Sequence, residues 1–161
     1  MEPAGFVPHD HDACISDALT AAETYCEANQ LRFTPARRRV LEILLEEHKA
    51  LGAYDVLDRL KQEGRGAQPP VAYRCLDFLV SHGFVHRIER LNAFIACAKP
   101  HDDHAPAFLI CRLCDSVAET TSAAPKGLLA HAAQETGFKI EQTVVEAVGL
   151  CPECQTAGAA E

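Results

Sequence analysis

Four of the eight cysteines in this 161-residue chain fall into two Cys-x-x-Cys pairs, Cys111/Cys114 and Cys151/Cys154. Each pair can grip one metal ion from a tight turn, and two pairs complete a tetrahedral zinc site of four cysteines. The 36 residues between the pairs exceed a simple zinc ribbon but leave room for one helix and two strands. The rival chemistry is thiol–disulfide exchange at a single Cys-x-x-Cys in a βαβ context. Two pairs without that context favour metal.

Further donors crowd between Phe84 and Glu119: His86, Cys97, His101, His104 and Glu119 itself. Taken singly, they read as ordinary residues: Cys97 a core thiol, His86 a strand surface residue, Glu119 a solvated acid. Taken together, His86, Cys97, His104 and Glu119 make a mixed N/S/O set of four, which suits zinc. His9-Asp10-His11-Asp12 adds a weak chelating pattern near the N-terminus, also readable as a solvated acidic tail. With His101 these histidines are candidates for a third metal site.

A hydrolytic zinc enzyme is the competing class. Zinc deaminases use His-x-Glu with Pro-Cys-x-x-Cys. This chain has His86-Arg-Ile-Glu89, one residue too long, and Leu150-Cys-Pro-Glu-Cys154, with the proline misplaced. A site closed by four protein ligands would also leave no position for water. The chain therefore reads as a non-enzyme, with no small-molecule substrate.

Composition sets the frame for these sites. With 48% hydrophobic and 24% charged residues the chain is a globular one. No apolar run approaches the roughly 20 residues of a membrane helix. MEPAGFVPHDHD lacks the basic-then-apolar pattern of a secretory signal. The expected compartment is the cytoplasm, where cysteines serve as ligands or core residues more often than as disulfides.

The net charge of −8 argues against a nucleic-acid partner when taken whole, but it is unevenly spread. Residues 1–29 carry six acids and no Lys or Arg, and residues 91–161 carry nine acids against four bases. Residues 30–90 carry eleven bases against eight acids. A local basic surface is what matters for phosphate contact.

The elements that must position the donors follow from periodicity and punctuation. A first helix is expected after Ser16 as N-cap, with Leu19, Ala22 and Cys26 on its apolar stripe. Thr34-Pro35 announces a second, with Val40, Leu41, Leu44 and Leu45 inward. Arg37, Arg38 and Arg39 cluster in its first turns. Cations there oppose the helix macrodipole, so either a phosphate outside the chain or simple solvation accounts for them. Ala53-Tyr54 opens a third helix, with Val56, Leu57 and Leu60 inward and Gly64 past its end. Pro69-Pro70 starts a fourth, with Leu76, Leu79 and Val80 as its core face and Gly83 closing it. FVHRIER and AFIAC then read as a hairpin turning at Leu91-Asn92. Helices followed by a hairpin give the winged helix-turn-helix order, in which the last helix enters the major groove and Arg74 reaches base edges. After the polar joint AKPHDDHAP come a strand (APAFLIC), the first knuckle, a strand (SVAET), a helix from Pro125 with Leu128, Leu129, Ala132 and Ala133 on its face, a long strand FKIEQTVVEAVG, the second knuckle and a tail. This last unit of about 50 residues is too small to bury a self-sufficient core. A structural zinc, contributing on the order of 10 kcal/mol to folding, would offset that.

Together LRFTPARRRVLEIL, AYDVLDRLK, PPVAYRCLDFLVSHGFVHRIE, AFIAC, HAPAFLICRLC and EAVGLCPEC resemble, in order, the ferric uptake regulator family, and within it the zinc-uptake branch. The resemblance implies an α+β protein: a tail at 1–15, a winged-helix DNA-binding domain at 16–97, a hinge at 98–105, an α/β dimerisation domain with a four-cysteine zinc site at 106–155, and a tail at 156–161. It implies two zinc ions per subunit, a structural one on Cys111, Cys114, Cys151 and Cys154 and a regulatory one on His86, Cys97, His104 and Glu119. Iron-type members place a His-His-Asp-His cluster just before the first knuckle. Here His101-Asp-Asp-His104 is only partly like it, and six residues separate His104 from Cys111, as in the zinc branch. The implied partners are operator DNA and a second copy of the chain, as one dimer or two per operator. Tyr54 and Arg74 align with base-contacting positions, Tyr73 lies beside Arg74, and Arg37 and Arg38 are the candidate phosphate contacts. An arginine paired bidentately with guanine discriminates by roughly 1–3 kcal/mol. Two departures stand out: Val71 replaces the usual threonine before Ala72-Tyr73-Arg74, and Val148 stands where relatives often have histidine. The implied function is a zinc-responsive repressor of zinc-uptake genes. The alternatives are a regulator of the same fold sensing iron, manganese or peroxide, and a zinc-buffering protein that does not bind DNA.

Overall fold

The computed structural model describes residues 11–46, 49–66, 68–101, 106–121, 125–141 and 143–158. These divide into two compact units, meeting in sequence after His101. No helix among the described residues is long and apolar enough to cross a membrane.

The first unit holds four helices and a hairpin: α1 His11–Ala28, α2 Pro35–Glu46, α3 Ala53–Gln62, α4 Pro69–Ser81, β1 Val85–Ile88 and β2 Ala93–Ala96. Helix α1 begins five residues before Ser16, because the apolar stripe extends back one turn: Ile15 packs against the same core as Leu19, Ala22 and Cys26. Helix α2 starts as its sequence dictates, with the Arg37 N–H donating to Thr34 Oγ1 at 3.3 Å and Pro35 at the first helical position. Ile43 joins Val40, Leu41 and Leu44 in its buried face. At the start of α3 the Gly52 N–H donates to Asp55 Oδ2 at 2.9 Å. Gly64, at φ 71°, ends it, and the Arg65 N–H reaches back to the Leu60 carbonyl at 3.0 Å.

Helix α4 has no side-chain cap, and Val71 supplies none. Pro69 and Pro70 remove two of the four orphan N–H groups, and the Val71 and Ala72 N–H groups both donate to the Gln68 carbonyl. Its buried stripe is Ala72, Cys75, Leu76 and Leu79. Val80, expected in that stripe, is 37% exposed; it lies about 100° around the helix from Leu79, past the edge of a face already filled. Leu76 and Leu79 are fully buried, each worth about 1.5–3 kcal/mol relative to exposure.

The hairpin pairs Val85 with Ala96 and Ile88 with Ala93, turning through Asn92 at φ 47°. Leu51, just before α3, makes a two-way backbone bridge to Phe94, a partner outside the hairpin that the apolar pattern alone does not reveal.

The second unit holds β3 Pro106–Cys111, β4 Val117–Thr121, α5 Pro125–Thr136, β5 Val145–Gly149 and α6 Pro152–Gly158. The sheet order is β4-β3-β5, with β4 antiparallel and β5 parallel to β3. The long strand expected from Phe138 shortens to Val145–Gly149. Its pairing with β3 begins at Ala107↔Val145, and the residue before Ala107 is a proline with no N–H to extend the ladder. The tail expected after the second knuckle is helical through Gly158. On α5, Leu129 and Ala132, two residues of the apolar face read from sequence, are exposed.

Candidate metal centre

Parallel pairing explains how two distant cysteine pairs meet. Cys111 is the last residue of β3 and sits in register with Gly149, the last residue of β5. Both knuckles therefore leave the same end of adjacent strands, and the Arg112 N–H ties the first to the Gly149 carbonyl at 2.9 Å. In the first knuckle the chain turns through Asp115 at φ 58°, whose N–H donates to the Cys111 carbonyl at 3.0 Å. In the second, Cys151 precedes α6 and occupies its N-cap position. Its Sγ accepts the Cys154 N–H at 3.4 Å, as a capping oxygen would.

One sulfur of each of Cys111, Cys114, Cys151 and Cys154 lies within 4.8 Å of the others. The Cys114 and Cys151 sulfurs are 3.7 Å apart. Zn–S bonds of about 2.3 Å in a tetrahedron put sulfurs about 3.8 Å apart, so the spacing and the four soft donors fit zinc. The electrostatics are those of crowded thiols. N–H groups of Cys151 and Cys114 hold the Cys111 thiol down to about 6. Cys114 is lowered, first by the Ser116 hydroxyl. Cys154 is pushed up to about 12, first by the Cys151 thiol and then by burial. A divalent cation relieves that crowding, because every coordinating thiol is deprotonated outright.

The second donor set is divided between the units. In the first, His86 lies on β1 opposite Ile95, and Cys97 follows β2 with its N–H on the Phe84 carbonyl at 2.9 Å. A ring nitrogen of His86 and the Cys97 sulfur fall within 4.8 Å of each other. In the second unit, Glu119 is on β4 opposite Phe108 and is only 7% exposed, a buried carboxylate rather than a solvated one. His104 lies outside the described residues, as does His9. His101 is face to face with Tyr25, centroids 3.7 Å apart, and edge-on to Phe84. Burial, and secondarily His82, lower its pKa.

The face expected to meet nucleic acid is built on α3 and α4. Tyr54, second residue of α3, is 65% exposed, and Tyr73 on α4 is 44% exposed. Both line an open depression of about 440 Å3 with Asp77, Arg87 and Phe94. Arg74 is exposed, its Nε donating to the Pro70 carbonyl at 3.2 Å. The arginines of α2 have partners within the unit. Arg37 donates to the Arg32 carbonyl and lies over the Phe78 ring. Arg38 pairs with Glu23. Arg39 is caged by Glu42, Glu46 and Glu63. Internal carboxylates, not an external anion, thus account for Arg39; Glu42 and Glu46 are on its own helix, while Glu63 lies 24 residues away in sequence.

The class is now defined on two independent grounds, a winged-helix unit and an α/β unit bearing a four-cysteine cluster. The ferric uptake regulator family model matches residues 28–148, and the chain belongs to that family. It is 36% identical over 139 residues to the zinc uptake regulation protein of Escherichia coli K12, covering 86% of this chain and 81% of that one. Among solved structures it is similar to a zinc uptake regulator complexed with zinc and DNA, with a TM-score of 0.86 at 35% identity over 90% of this chain and 97% of that one. It is also similar to holo XcZur, with a TM-score of 0.78 at 37% identity over 86% and 96%.

Proposed function

We propose that this protein is a zinc-responsive transcriptional repressor that binds operator DNA as a zinc-loaded homodimer and represses zinc-uptake genes in the cytoplasm. The observation that carries the reading is the match, across both units, to a zinc uptake regulator solved with zinc and DNA. In this reading each subunit takes two zinc ions. Cys111, Cys114, Cys151 and Cys154 hold the structural one, and the geometry of the four sulfurs supports that assignment. His86, Cys97, His104 and Glu119 hold the regulatory one. Zinc supplies a cross-link of fixed coordination without redox chemistry.

The four regulatory donors span the hinge at 98–105: His86 and Cys97 precede it, His104 falls within it and Glu119 follows it. Ligation by them restricts the DNA-binding units to a spacing that fits successive major-groove segments of a palindromic operator. Tyr54, Tyr73 and Arg74 then face bases, while Arg37 and Arg38 face phosphates. Dimerisation falls to the second unit, and support comes from the apolar depression of about 460 Å3 around Leu129, Phe138 and Val144, where Phe138 is 69% exposed. A closed two-fold dimer presents two such units to a palindrome.

The test is DNA-binding anisotropy on a palindromic AT-rich operator, with free zinc buffered over several decades. A steep rise with zinc that iron and manganese do not reproduce is the expected result. Binding indifferent to zinc, or following another metal, would move the protein to another branch of the family.

A further inference from the structure

Ser116 stands two residues beyond Cys114, where the chain leaves the first knuckle for β4. Its Oγ is 2.9 Å from the Cys114 sulfur, and its carbonyl accepts the Cys111 N–H at 2.9 Å. One residue therefore touches both cysteines of the knuckle, one through its side chain and one through its backbone. The left-handed turn at Asp115 aims it there.

We propose that Ser116 is a positioning residue for the four-cysteine centre, its hydroxyl donating to the Cys114 thiolate and fixing that sulfur's direction. This rests on the reading that the four cysteines hold zinc. A thiolate bound to a metal has no proton to give, so the hydroxyl must be the donor. Four thiolates around one divalent ion leave net negative charge on the sulfurs, and donors to sulfur stabilise it.

The two knuckles differ in how they meet that need. Cys151 is served by the backbone N–H of Cys154. Thr156 stands two residues beyond Cys154, as Ser116 does beyond Cys114, but its hydroxyl bonds the Pro152 and Glu153 carbonyls instead. The first knuckle alone has a side-chain hydroxyl on sulfur among the described residues.

The experiment compares the full-length parent with Ser116→Ala, Ser116→Thr and Ser116→Val, with Cys111→Ser as control. Zinc retention is measured by competition with a chelator of known affinity. The tetrahedral thiolate site is read separately from the cobalt(II) charge-transfer spectrum. Ser116→Ala binds the structural zinc about 10–100-fold more weakly and shifts the cobalt band, while Ser116→Thr stays close to the parent. If Ser116→Ala does not fold, the threonine and valine variants, equal in shape, carry the test: only valine weakens zinc. Parent-like affinity in Ser116→Ala, or equal affinity in threonine and valine, overturns the role of Ser116. Cys111→Ser that keeps every zinc ion overturns the four-cysteine reading beneath it, a distinct result.

Discussion

The guanidinium of Arg37 lies 3.7 Å above the ring of Phe78, joining the first turn of α2 to the helix that carries Tyr73 and Arg74. Phe78 in turn tilts against His82, centroids 4.6 Å apart. A cation over a partly desolvated ring contributes about 0.5–2 kcal/mol, so this contact braces α4 against α2.

Arg37→Ala is therefore expected to destabilise the first unit by about 1–2 kcal/mol in urea unfolding, and Arg37→Lys by less. The same variant tests the proposed phosphate contact. Loss of one such contact makes the dependence of log affinity on log salt shallower by about one. A weakened complex with an unchanged slope would leave Arg37 the bracing role alone.

Arg39 and Glu63 make the second bridge, from α2 to the residue after α3, through Arg39 Nε on Glu63 Oε2 at 2.9 Å. Glu46 also holds Arg39, at 2.7 Å, and Arg59, at 3.2 Å. Arg39→Met should cost about 1–2 kcal/mol, discounted for partial exposure. The bond to Arg39 holds the Glu63 carboxyl below its ordinary value of 4.5. A lowered acid binds fewer protons folded than unfolded, so its stabilisation is complete above the ordinary value. It is lost as pH falls through the lowered one. Glu63→Gln should flatten the acid limb of the unfolding midpoint against pH; an unaltered limb would assign acid sensitivity elsewhere.

Much of this architecture is legible in the residues alone. Thr34-Pro35 and Pro69-Pro70 mark their helix starts through bonds that depend on adjacent residues, and the Cys-x-x-Cys pairs declare their chemistry by spacing. Several of the misses depend on partners distant in sequence. Nothing local to Arg39 shows that Glu63 answers it, and nothing local to Leu51 shows that it bridges Phe94. The strand expected from Phe138 has the right residue types, but its pairing with β3 begins only at Ala107↔Val145, one residue after a proline that has no N–H. A hydroxyl two residues beyond a knuckle cysteine occurs at both Ser116 and Thr156, and only the fold shows that Ser116 alone of the two turns to sulfur.

The proposed regulatory set predicts a separation of functions. His86 and Cys97 belong to the hairpin but to neither the helical core nor the four-cysteine cluster. His86→Ala with Cys97→Ser should leave far-ultraviolet circular dichroism and the sedimentation of the proposed dimer unchanged while removing zinc-dependent operator binding. Per-subunit zinc should fall by one. A double variant that still follows free zinc on the operator would sink the assignment of these residues.

Removing the proposed structural metal should act on one unit and spare the other. In the first unit, Val40, Leu44, Val56, Leu57, Leu76 and Leu79 make a fully buried core that depends on no cysteine pair. In the second, the knuckles close the end of the sheet where β3 and β5 finish side by side, and α6 takes its cap from Cys151. Without a cation, four sulfurs within 4.8 Å of each other either keep protons they would lose on ligation or repel as thiolates. Strong chelation, or Cys111→Ser, should expose β3 and β5 amides to hydrogen exchange and monomerise the protein in sedimentation. The amides of α2 and α4 should stay protected. Uniform loss of protection across both units would mean the first unit does not fold on its own core. Retained protection in β3 and β5 would mean that the four cysteines do not hold the second unit together.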